Sequence, residues 1–178
     1  MSSTRRRALD AAVDLIGAEG IRALTHGKVD AAASLPPGST SNHFRTRAAL
    51  LSGVIEWMAA AEREDAGASA IHSRDELVAA LNRMIQLQSG SLAGRTRARY
   101  ALFLEADADA ARPLREQRHG METWIRGILL ERGGAEAAAR APFLMAAADG
   151  LLLHRITVDP EAPITDVVVR AVDAALAP

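Results

Sequence analysis

Five consecutive polar residues near the amino terminus, Ser39, Thr40, Ser41, Asn42 and His43, include no carboxylate. Their hydroxyl, amide and imidazole groups donate and accept hydrogen bonds, and none of them repels a polyanion. An ordinary surface helix carries mixed charges, usually with glutamate, so this run is unusual for a solvated face. These side chains suit contact with the phosphates and base edges of a nucleic acid.

Groupings of residues that would support catalysis or metal binding are not evident. The five histidines are scattered at positions 26, 43, 72, 119 and 154, and the sequence has no phosphate-binding loop and no zinc-protease motif. His119 and Glu122 lie one helical turn apart, but two ligands are too few for a zinc site. The lack of cysteine excludes disulfides, thiol nucleophiles and thiolate metal ligands. We therefore expect no enzyme, no metal site and no cofactor.

Two short helices must present the polar run. The first opens with Thr25, a good N-cap residue, and places Val29 and Ala33 on one face, with Lys28 off that face. The second begins at Pro36-Pro37-Gly38, because proline is tolerated in the first turn of a helix and disfavours helix in the residue before it. Helices this short are not stable alone in water. Neighbouring elements must therefore hold them.

The stretch from Thr25 to Phe44, followed by Arg47 and the apolar run Ala48-Ala49-Leu50-Leu51, resembles the helix-turn-helix of the TetR (tetracycline-repressor-like) transcriptional regulators. An opening helix from Arg5 to Ala18, closed by Glu19-Gly20-Ile21, extends the resemblance to about the first 60 residues. Beyond that point the resemblance rests on an all-helical pattern.

The resemblance implies an all-α fold of about nine helices. A three-helix DNA-binding head with the helix-turn-helix would occupy residues 1–47, and an effector-binding and dimerisation body would occupy residues 48–178. Asp30, Ser34 and Ser41 stand where the family commonly has alanine, glycine and tyrosine. These differences concern operator contacts more than the fold.

The same resemblance assigns contacts with double-stranded DNA. Asn42 can pair with adenine through both polar atoms, although a solvated asparagine fits the sequence equally well. Thr25 can present its hydroxyl to a phosphate while also capping its helix. Arg5-Arg6-Arg7 would touch phosphate or a minor groove, or would simply start the first helix in solvent. The expected DNA-binding residues are Thr25, Lys28, Pro37, Gly38, Ser39, Asn42, His43 and Arg47.

Composition and charge agree with a helical DNA-binding protein. The chain has 178 residues, with 49% hydrophobic but only 3% aromatic residues, so its core must be built from Ala, Leu, Val and Ile. Alanine and leucine are strong helix formers. The net charge is −1, yet residues 1–47 hold seven basic and four acidic side chains, so that segment carries +3 and the rest −4. The sequence lacks a long apolar stretch and a signal peptide, which predicts a cytoplasmic protein.

The remaining chain reads as a series of helices separated by glycine and proline. A break is expected at Gly67 to Ser73, and Ser73 with Glu76 has the spacing of a capping box. The expected helices cover residues 48–64, 73–89, 95–109, 113–132, 135–157 and 164–175.

An effector pocket in the body follows from the family resemblance. With few aromatic residues it would be mainly aliphatic, which favours a small hydrophobic effector. For each candidate, core packing or surface exposure is an alternative explanation. The candidate pocket residues are Trp57, Met84, Tyr100, Phe103, Trp124, Met145, Asp149 and His154.

The last two helices predict how two chains would associate. Residues 135–157 are apolar on more than one face, and the closing helix carries a single apolar stripe, as in helices that pack between subunits. The family resemblance implies that they form a four-helix bundle between two subunits. The alternative is an ordinary intramolecular core. The expected interface residues of the homodimer are Leu144, Leu151, Val167, Val168, Ala171 and Val172.

The family resemblance, together with these features, implies a ligand-responsive DNA-binding regulator. We expect a homodimeric repressor that binds a palindromic operator and is released from it by a small hydrophobic effector. The alternative is a helical dimer that binds protein partners or sequesters a ligand without operator-specific DNA binding.

Overall fold

Nine α-helices and one short 3₁₀ turn form the secondary structure of the described residues, 2–66 and 71–177, in a computed structural model of the chain. These residues include no β-strand, and the predicted all-α fold is confirmed. No helix in this part of the chain is long and apolar enough to cross a membrane. The helices are α1 (Ser3–Glu19), α2 (His26–Ala32), α3 (Ser39–His43), α4 (Arg47–Ala66), α5 (Arg74–Ser89), α6 (Ala93–Glu105), α7 (Arg112–Ala139), α8 (Ala141–Thr157) and α9 (Thr165–Leu176), and the 3₁₀ turn covers Ile21–Ala23.

The predicted capping box starts α5. The Ser73 hydroxyl oxygen accepts a hydrogen bond from the Glu76 N–H at 3.1 Å, and the Glu76 carboxylate accepts one from the His72 N–H at 2.5 Å. These bonds satisfy backbone donors that have no partner inside the helix. Part of the break predicted just before this helix, residues 67–70, lies outside the described residues.

The chain packs into two compact units. Unit 1 comprises Met1–Gly67 and Gly94–Gln117, and unit 2 comprises Ala68–Ala93 and Arg118–Pro178. Unit 1 therefore contains the predicted DNA-binding segment together with α4 and α6. The functional boundary at residue 47 remains a prediction, and α4 packs directly on α1 within unit 1.

The core of unit 1 is built mainly from α1, α4 and α6. Gly17 in α1 faces the backbone of Gly94, and a Cβ at position 17 would lie 2.2 Å from the Gly94 carbonyl oxygen, so only glycine fits there. Glu62 of α4 and Arg99 of α6 form an ion pair at 3.1 Å, with both side chains largely buried. Fully buried side chains in this core include Leu9, Ile16, Leu24, Leu50, Ile55, Met58, Leu102 and Leu114.

In unit 2, α5 packs against both α8 and α9. Arg74 at the start of α5 forms two hydrogen bonds with Asp173 of α9, at 2.7 and 2.9 Å. The core side chains of this unit include Leu77, Ile85, Ile125, Leu129, Leu144, Leu152, Val168 and Val172.

The prediction of a single helix over residues 135–157 is wrong. Helix α7 continues to Ala139, interrupted at Gly134, whose φ of 74° is not helical. Helix α8 then begins at Ala141, with Pro142 in its first turn. Proline lacks a backbone N–H and clashes with the carbonyl four residues earlier, so it cannot lie inside a continuous helix without disrupting it.

Candidate nucleic-acid interface

Helices α2 and α3 form a helix-turn-helix, joined by residues 33–38. Two residues of this turn have a left-handed backbone, Gly38 with φ of 87° and Ser34 with φ of 51°. Glycine adopts this conformation readily, whereas the Cβ of serine makes it unfavourable. The Leu35 N–H closes the turn by donating to the Asp30 carbonyl oxygen at 2.8 Å.

Asp30 is a buried carboxylate that binds the start of α3, and the residue is 4% exposed. One carboxylate oxygen accepts the Thr40 N–H at 2.8 Å and the Thr40 hydroxyl at 2.6 Å, and the other accepts the Gly38 N–H at 2.8 Å. Burial raises the pKa of Asp30, but the hydrogen bonds from Thr40 and Gly38 outweigh it and hold the pKa below its usual value. The ionised side chain therefore caps the first turn of α3.

Two more side chains fix the helix-turn-helix. His26, on α2, donates from Nε2 to the Phe44 carbonyl oxygen at 2.6 Å, at the end of α3. Arg7, on α1, donates from Nη2 to the carbonyl oxygens of Ala33 and Ser34, at 2.6 and 3.1 Å. The turn and both ends of α3 are thus held by side chains from α1 and α2.

The outward face of α3 carries polar groups and no negative charge. Asn42 and His43 are exposed, and within the described residues their side chains have no hydrogen-bond or ion-pair partner. The hydroxyls of Ser39 and Ser41 donate to backbone carbonyl oxygens of the preceding turn, at 2.6 and 2.9 Å. The exposed members of the predicted DNA-binding set in the turn and α3 are Pro37, Gly38, Asn42 and His43.

Thr25 and Lys28 lie on the exposed side of α2. The Thr25 hydroxyl oxygen accepts the Lys28 N–H at 3.3 Å and so caps the helix. The Lys28 ammonium nitrogen lies 2.7 Å from a Glu19 carboxylate oxygen, with both side chains about half exposed. Such surface pairs contribute little to stability. Lys28 can therefore exchange this partner for a phosphate, and its role in DNA binding remains a prediction.

Arg47 anchors α4 to the segment before the helix-turn-helix. Its Nε donates to the Leu24 carbonyl oxygen at 3.0 Å, and its Nη2 donates to the Ile21 carbonyl oxygen at 2.7 Å. The sequence predicted a phosphate contact for this guanidinium and gave no sign of the internal bonds. Any phosphate contact would have to use the remaining N–H groups.

The three consecutive arginines near the amino terminus each have an intramolecular contact. The Arg5 guanidinium carbon lies 5.1 Å from the centre of the Phe44 ring, and Arg6 lies 3.8 Å from Asp10. Arg7 holds the turn, as described above. Their contact with DNA stays a prediction.

Sequence reasoning missed the side chains that hold α3. Asp30 and His26 are four residues apart on α2, a spacing that places both on one face of a helix. The spacing therefore predicts that Asp30 and His26 project from the same face of α2. It does not predict that this face contacts α3. In the sequence, Asp30 stands out only as a departure from the family's usual alanine.

The predicted ligand-pocket residues divide between the two units. Trp57, Tyr100 and Phe103 belong to unit 1, where Trp57 donates from Nε1 to Asp10 at 2.9 Å. In unit 2, Asp149 pairs with Arg118. The members in unit 2 are Met84, Trp124, Met145, Asp149 and His154.

Two cavities lie elsewhere. A surface cleft of about 410 Å³ lies between α1 and α2, lined by alanines, Leu15, Arg7, Asp10 and Asp14. An apolar cavity of about 10 Å³ lies between α5, α8 and α9. None of the eight candidates lines either cavity, so the effector pocket remains a prediction. Within the described residues no three or more His, Cys, Asp or Glu side chains are grouped to hold a metal ion.

The predicted dimer residues occupy two different environments. Leu144, Val168, Ala171 and Val172 are buried in the core of their own unit, because α5 covers that side of α8 and α9. Leu151 is half-buried and Val167 is exposed. The apolar residues of α8 and α9 that remain available to another molecule include Phe143, Leu153 and Val167, which are 50%, 47% and 45% exposed.

Comparison with known proteins gives a family match for the body of the chain. A family model described as the tetracycline repressor-like C-terminal domain matches residues 72–178. This segment is more than half of the chain and lies beyond the helix-turn-helix. No curated protein sequence matches the chain.

Solved structures extend the similarity over nearly the whole chain. A TetR-family member from Streptomyces coelicolor A3 is 25% identical, with a TM-score of 0.75, over 98% of this chain and 99% of that chain. The multidrug-binding protein EbrR, complexed with ethidium, is 27% identical, with a TM-score of 0.66, over 97% and 98% of the two chains. A transcriptional regulator from Rhodococcus sp. Rha1 shares the fold, with 19% identity and a TM-score of 0.76, over 98% and 94%.

Proposed function

This chain belongs to the tetracycline-repressor-like (TetR) family of ligand-responsive, DNA-binding transcriptional regulators, and we propose that it is a dimeric repressor which a small hydrophobic molecule releases from its operator. TetR-family regulators are generally not enzymes. We propose that this chain acts through binding alone.

The observation that carries the DNA-binding proposal is the outward face of α3. Asn42 and His43 are exposed and have no hydrogen-bond or ion-pair partner among the residues that the structure describes, and α3 contains no carboxylate. Asn42 and Ser39 would read base edges in a major groove, and His43 would bind a phosphate together with Thr25 and Lys28. Because the buried side of α3 is fixed, these groups are presented in one orientation.

The effector proposal rests on the family and on a relative. EbrR is a multidrug-binding protein whose structure holds ethidium, and it is 27% identical to this chain. We propose that this chain likewise responds to a hydrophobic small molecule, bound among the helices of the body. The molecule would release DNA only if it binds more tightly to a conformation in which the paired heads no longer fit the operator.

The dimer proposal rests on the exposed apolar residues of α8 and α9. Phe143, Leu153 and Val167 are about half exposed in the single chain. A second copy would cover them by packing the same two helices against each other about a two-fold axis, giving a four-helix bundle. A Phe143→Glu and Val167→Glu double variant should therefore shift the protein from dimer to monomer in sedimentation equilibrium.

The proposed function is tested by selection followed by titration. Purified protein is incubated with a library of random-sequence duplexes, and the recovered sequences are compared with the promoter of its own gene. Fluorescence anisotropy then measures binding to the selected duplex and to a scrambled duplex at two salt concentrations. We expect a preference of about 10³-fold or more for the selected duplex, which should contain a palindrome.

A different result would favour the alternative function. If no sequence is enriched and both duplexes bind with the same steep salt dependence, the protein has only non-specific affinity for DNA. A helical dimer that acts through protein partners or by sequestering a ligand would then be the better description.

A further inference from the structure

Helix α3 is held by two side chains that project from the same face of α2. Asp30 binds backbone N–H groups at the start of α3, and His26 binds a backbone carbonyl at its end. The two residues are four apart on α2 and so lie one above the other. We call this pair the α2 clamp.

The chemistry of each contact matches the end of the helix that it meets. The N-terminal N–H groups of a helix carry partial positive charge, and the Asp30 carboxylate accepts two N–H groups and the Thr40 hydroxyl. The C-terminal carbonyls carry partial negative charge, and the His26 imidazole donates an N–H to one of them. Because α3 has only five residues, it cannot keep this geometry unaided.

Asp30 cannot itself read DNA. It is 4% exposed, and its carboxylate already accepts three hydrogen bonds. A free carboxylate facing the phosphates would oppose binding, but this one lies behind α3. Its influence must pass through the position of the helix.

We propose that Asp30 and His26 are positioning residues for operator recognition, setting the orientation in which α3 presents Asn42 and His43. The inference rests on the proposed function, because it concerns how the same surface discriminates between sequences. Base-edge contacts require a fixed orientation, whereas phosphate contacts made by flexible side chains tolerate a shift. Loss of the clamp should therefore weaken specific binding far more than non-specific binding.

The first experiment compares Asp30→Asn with Asp14→Asn. Asparagine has nearly the shape of aspartate but places an NH₂ group against an N–H or O–H donor. Asp14 is an exposed carboxylate on α1 of the same unit, so its variant removes an equal charge without touching the clamp. Each variant is first shown to be folded by far-ultraviolet circular dichroism.

Affinities for the selected and scrambled duplexes then separate positioning from a general structural role. For Asp30→Asn we expect a loss of about tenfold or more on the selected duplex, and less than about twofold on the scrambled one, with an unchanged salt slope. Asp14→Asn should keep the wild-type ratio of the two affinities. Equal losses on both duplexes for Asp30→Asn, or no loss on either, would overturn the inference.

Milder variants keep the inference testable if Asp30→Asn does not fold. Thr40→Val removes only the hydroxyl donor and should lower the affinity ratio in the same direction by a smaller factor. His26→Ala removes the bond to Phe44, and His26→Gln restores an N–H donor at a similar reach. We expect His26→Gln to recover much of the specificity lost in His26→Ala. If both His26 variants and Thr40→Val keep the wild-type ratio, the clamp does not position α3 for recognition.

Amide hydrogen exchange gives a readout that does not depend on DNA. In Asp30→Asn the amides of Gly38 and Thr40 should exchange faster, while core amides of α1 stay protected. Unchanged exchange at both amides would overturn the clamp. If the wild-type protein selects no sequence, the proposed function is overturned. If the wild type is specific and the clamp variants keep its specificity, only the clamp is overturned.

Discussion

Asp30 and Thr40 are ten residues apart in sequence, and the Thr40 N–H and hydroxyl donate to the same carboxylate oxygen of Asp30, at 2.8 and 2.6 Å. An aspartate at this position looks unsuited to a DNA-binding head, because it adds negative charge near the phosphates. The contact explains its presence, since the charge is buried and is used to hold α3. Asp30 and Thr40 therefore act together to hold the start of α3.

Acid should weaken the head through Asp30. The folded-state pKa of Asp30 lies below its ordinary value of 3.8, so its stabilisation is fully present above that value and is lost as pH falls from there through the folded pKa. The free energy of unfolding in urea, measured from neutral pH down to about pH 3, should therefore fall more steeply for the wild type than for Asp30→Asn. A constant difference between the two proteins at every pH would contradict this.

Ser34→Gly should stabilise the protein. Ser34 has φ of 51°, a conformation that is unfavourable by about 1–2 kcal/mol for residues with a Cβ. Glycine removes this strain but gains entropy in the unfolded chain, so we expect a net gain of up to about 1 kcal/mol, or roughly 2–4 °C in Tm. Thermal unfolding followed by circular dichroism measures it. Ser34→Ala keeps the Cβ, and a rise in Tm for that variant would refute the role of the backbone strain.

Gly17→Ala should destabilise unit 1. A Cβ at position 17 would lie 2.2 Å from the Gly94 carbonyl oxygen, so the backbones of α1 and α6 would have to separate. We expect a loss of about 1–3 kcal/mol, as for other overpacked sites, measured by urea unfolding. Gly127→Ala on α7 is the matched control, because no described atom outside its own stretch of helix lies within 4 Å of a Cβ there and alanine favours helix. Equal effects of the two substitutions would argue against a close contact between the backbones.

Arg47→Ala should weaken binding to every DNA sequence and also lower stability. It removes the bonds to the Leu24 and Ile21 carbonyl oxygens, at a cost of about 1–2 kcal/mol. If the guanidinium also contacts a phosphate, the slope of log affinity against log salt should fall by about one unit. Arg45→Ala, at an exposed arginine, should leave stability unchanged. An unchanged salt slope in Arg47→Ala would show that the guanidinium contacts no phosphate and serves only to hold α4 to the Leu24 and Ile21 carbonyl oxygens.

Asn42→Ala should relax base preference at a single position of the selected sequence. Asn42 is exposed, and its side chain has no partner within the described head, so the folded state should lose nothing when it is removed. We expect unchanged unfolding and salt dependence, with a loss of roughly 1–3 kcal/mol on the selected duplex only. Repeating the library selection with the variant identifies the relaxed position. Equal weakening on the scrambled duplex would show that Asn42 contacts phosphate rather than a base.

Local patterns in the sequence predicted most of the helices correctly. Apolar spacing identified the core face of α1, and Ser73 with Glu76 marked the start of α5. Pro36-Pro37-Gly38, expected to open the second helix, instead lie in the turn, and α3 begins at Ser39. Each of these signals lies within a few residues of the feature that it predicts. Pro142 is an equally local signal, because proline favours the first turn of a helix, and it marks the start of α8 where the apolar pattern alone predicts one continuous helix.

Contacts between distant residues were not predictable from the same patterns. The bonds of Arg47 to Ile21, of Asp30 to Thr40 and of Arg7 to Ala33 depend on how α1, α2 and α4 pack. Periodicity shows that a face of α9 is apolar, but not which neighbour covers it. Val168 and Val172, expected at the dimer interface, are buried in the core of unit 2, and their contact with a second chain stays a prediction.

The division of α3 into an anchored side and an outward side bears on how such a protein changes its target over time. Thr40 lies on the anchored side, and Asn42 and His43 lie on the outward side. Substitutions at the two outward positions leave the anchoring bonds intact. If Asn42 reads a base edge as proposed, a duplicated gene can acquire a new preferred sequence through changes at that residue without first losing a folded product. A mutagenesis library for retargeting should therefore place its diversity at Asn42.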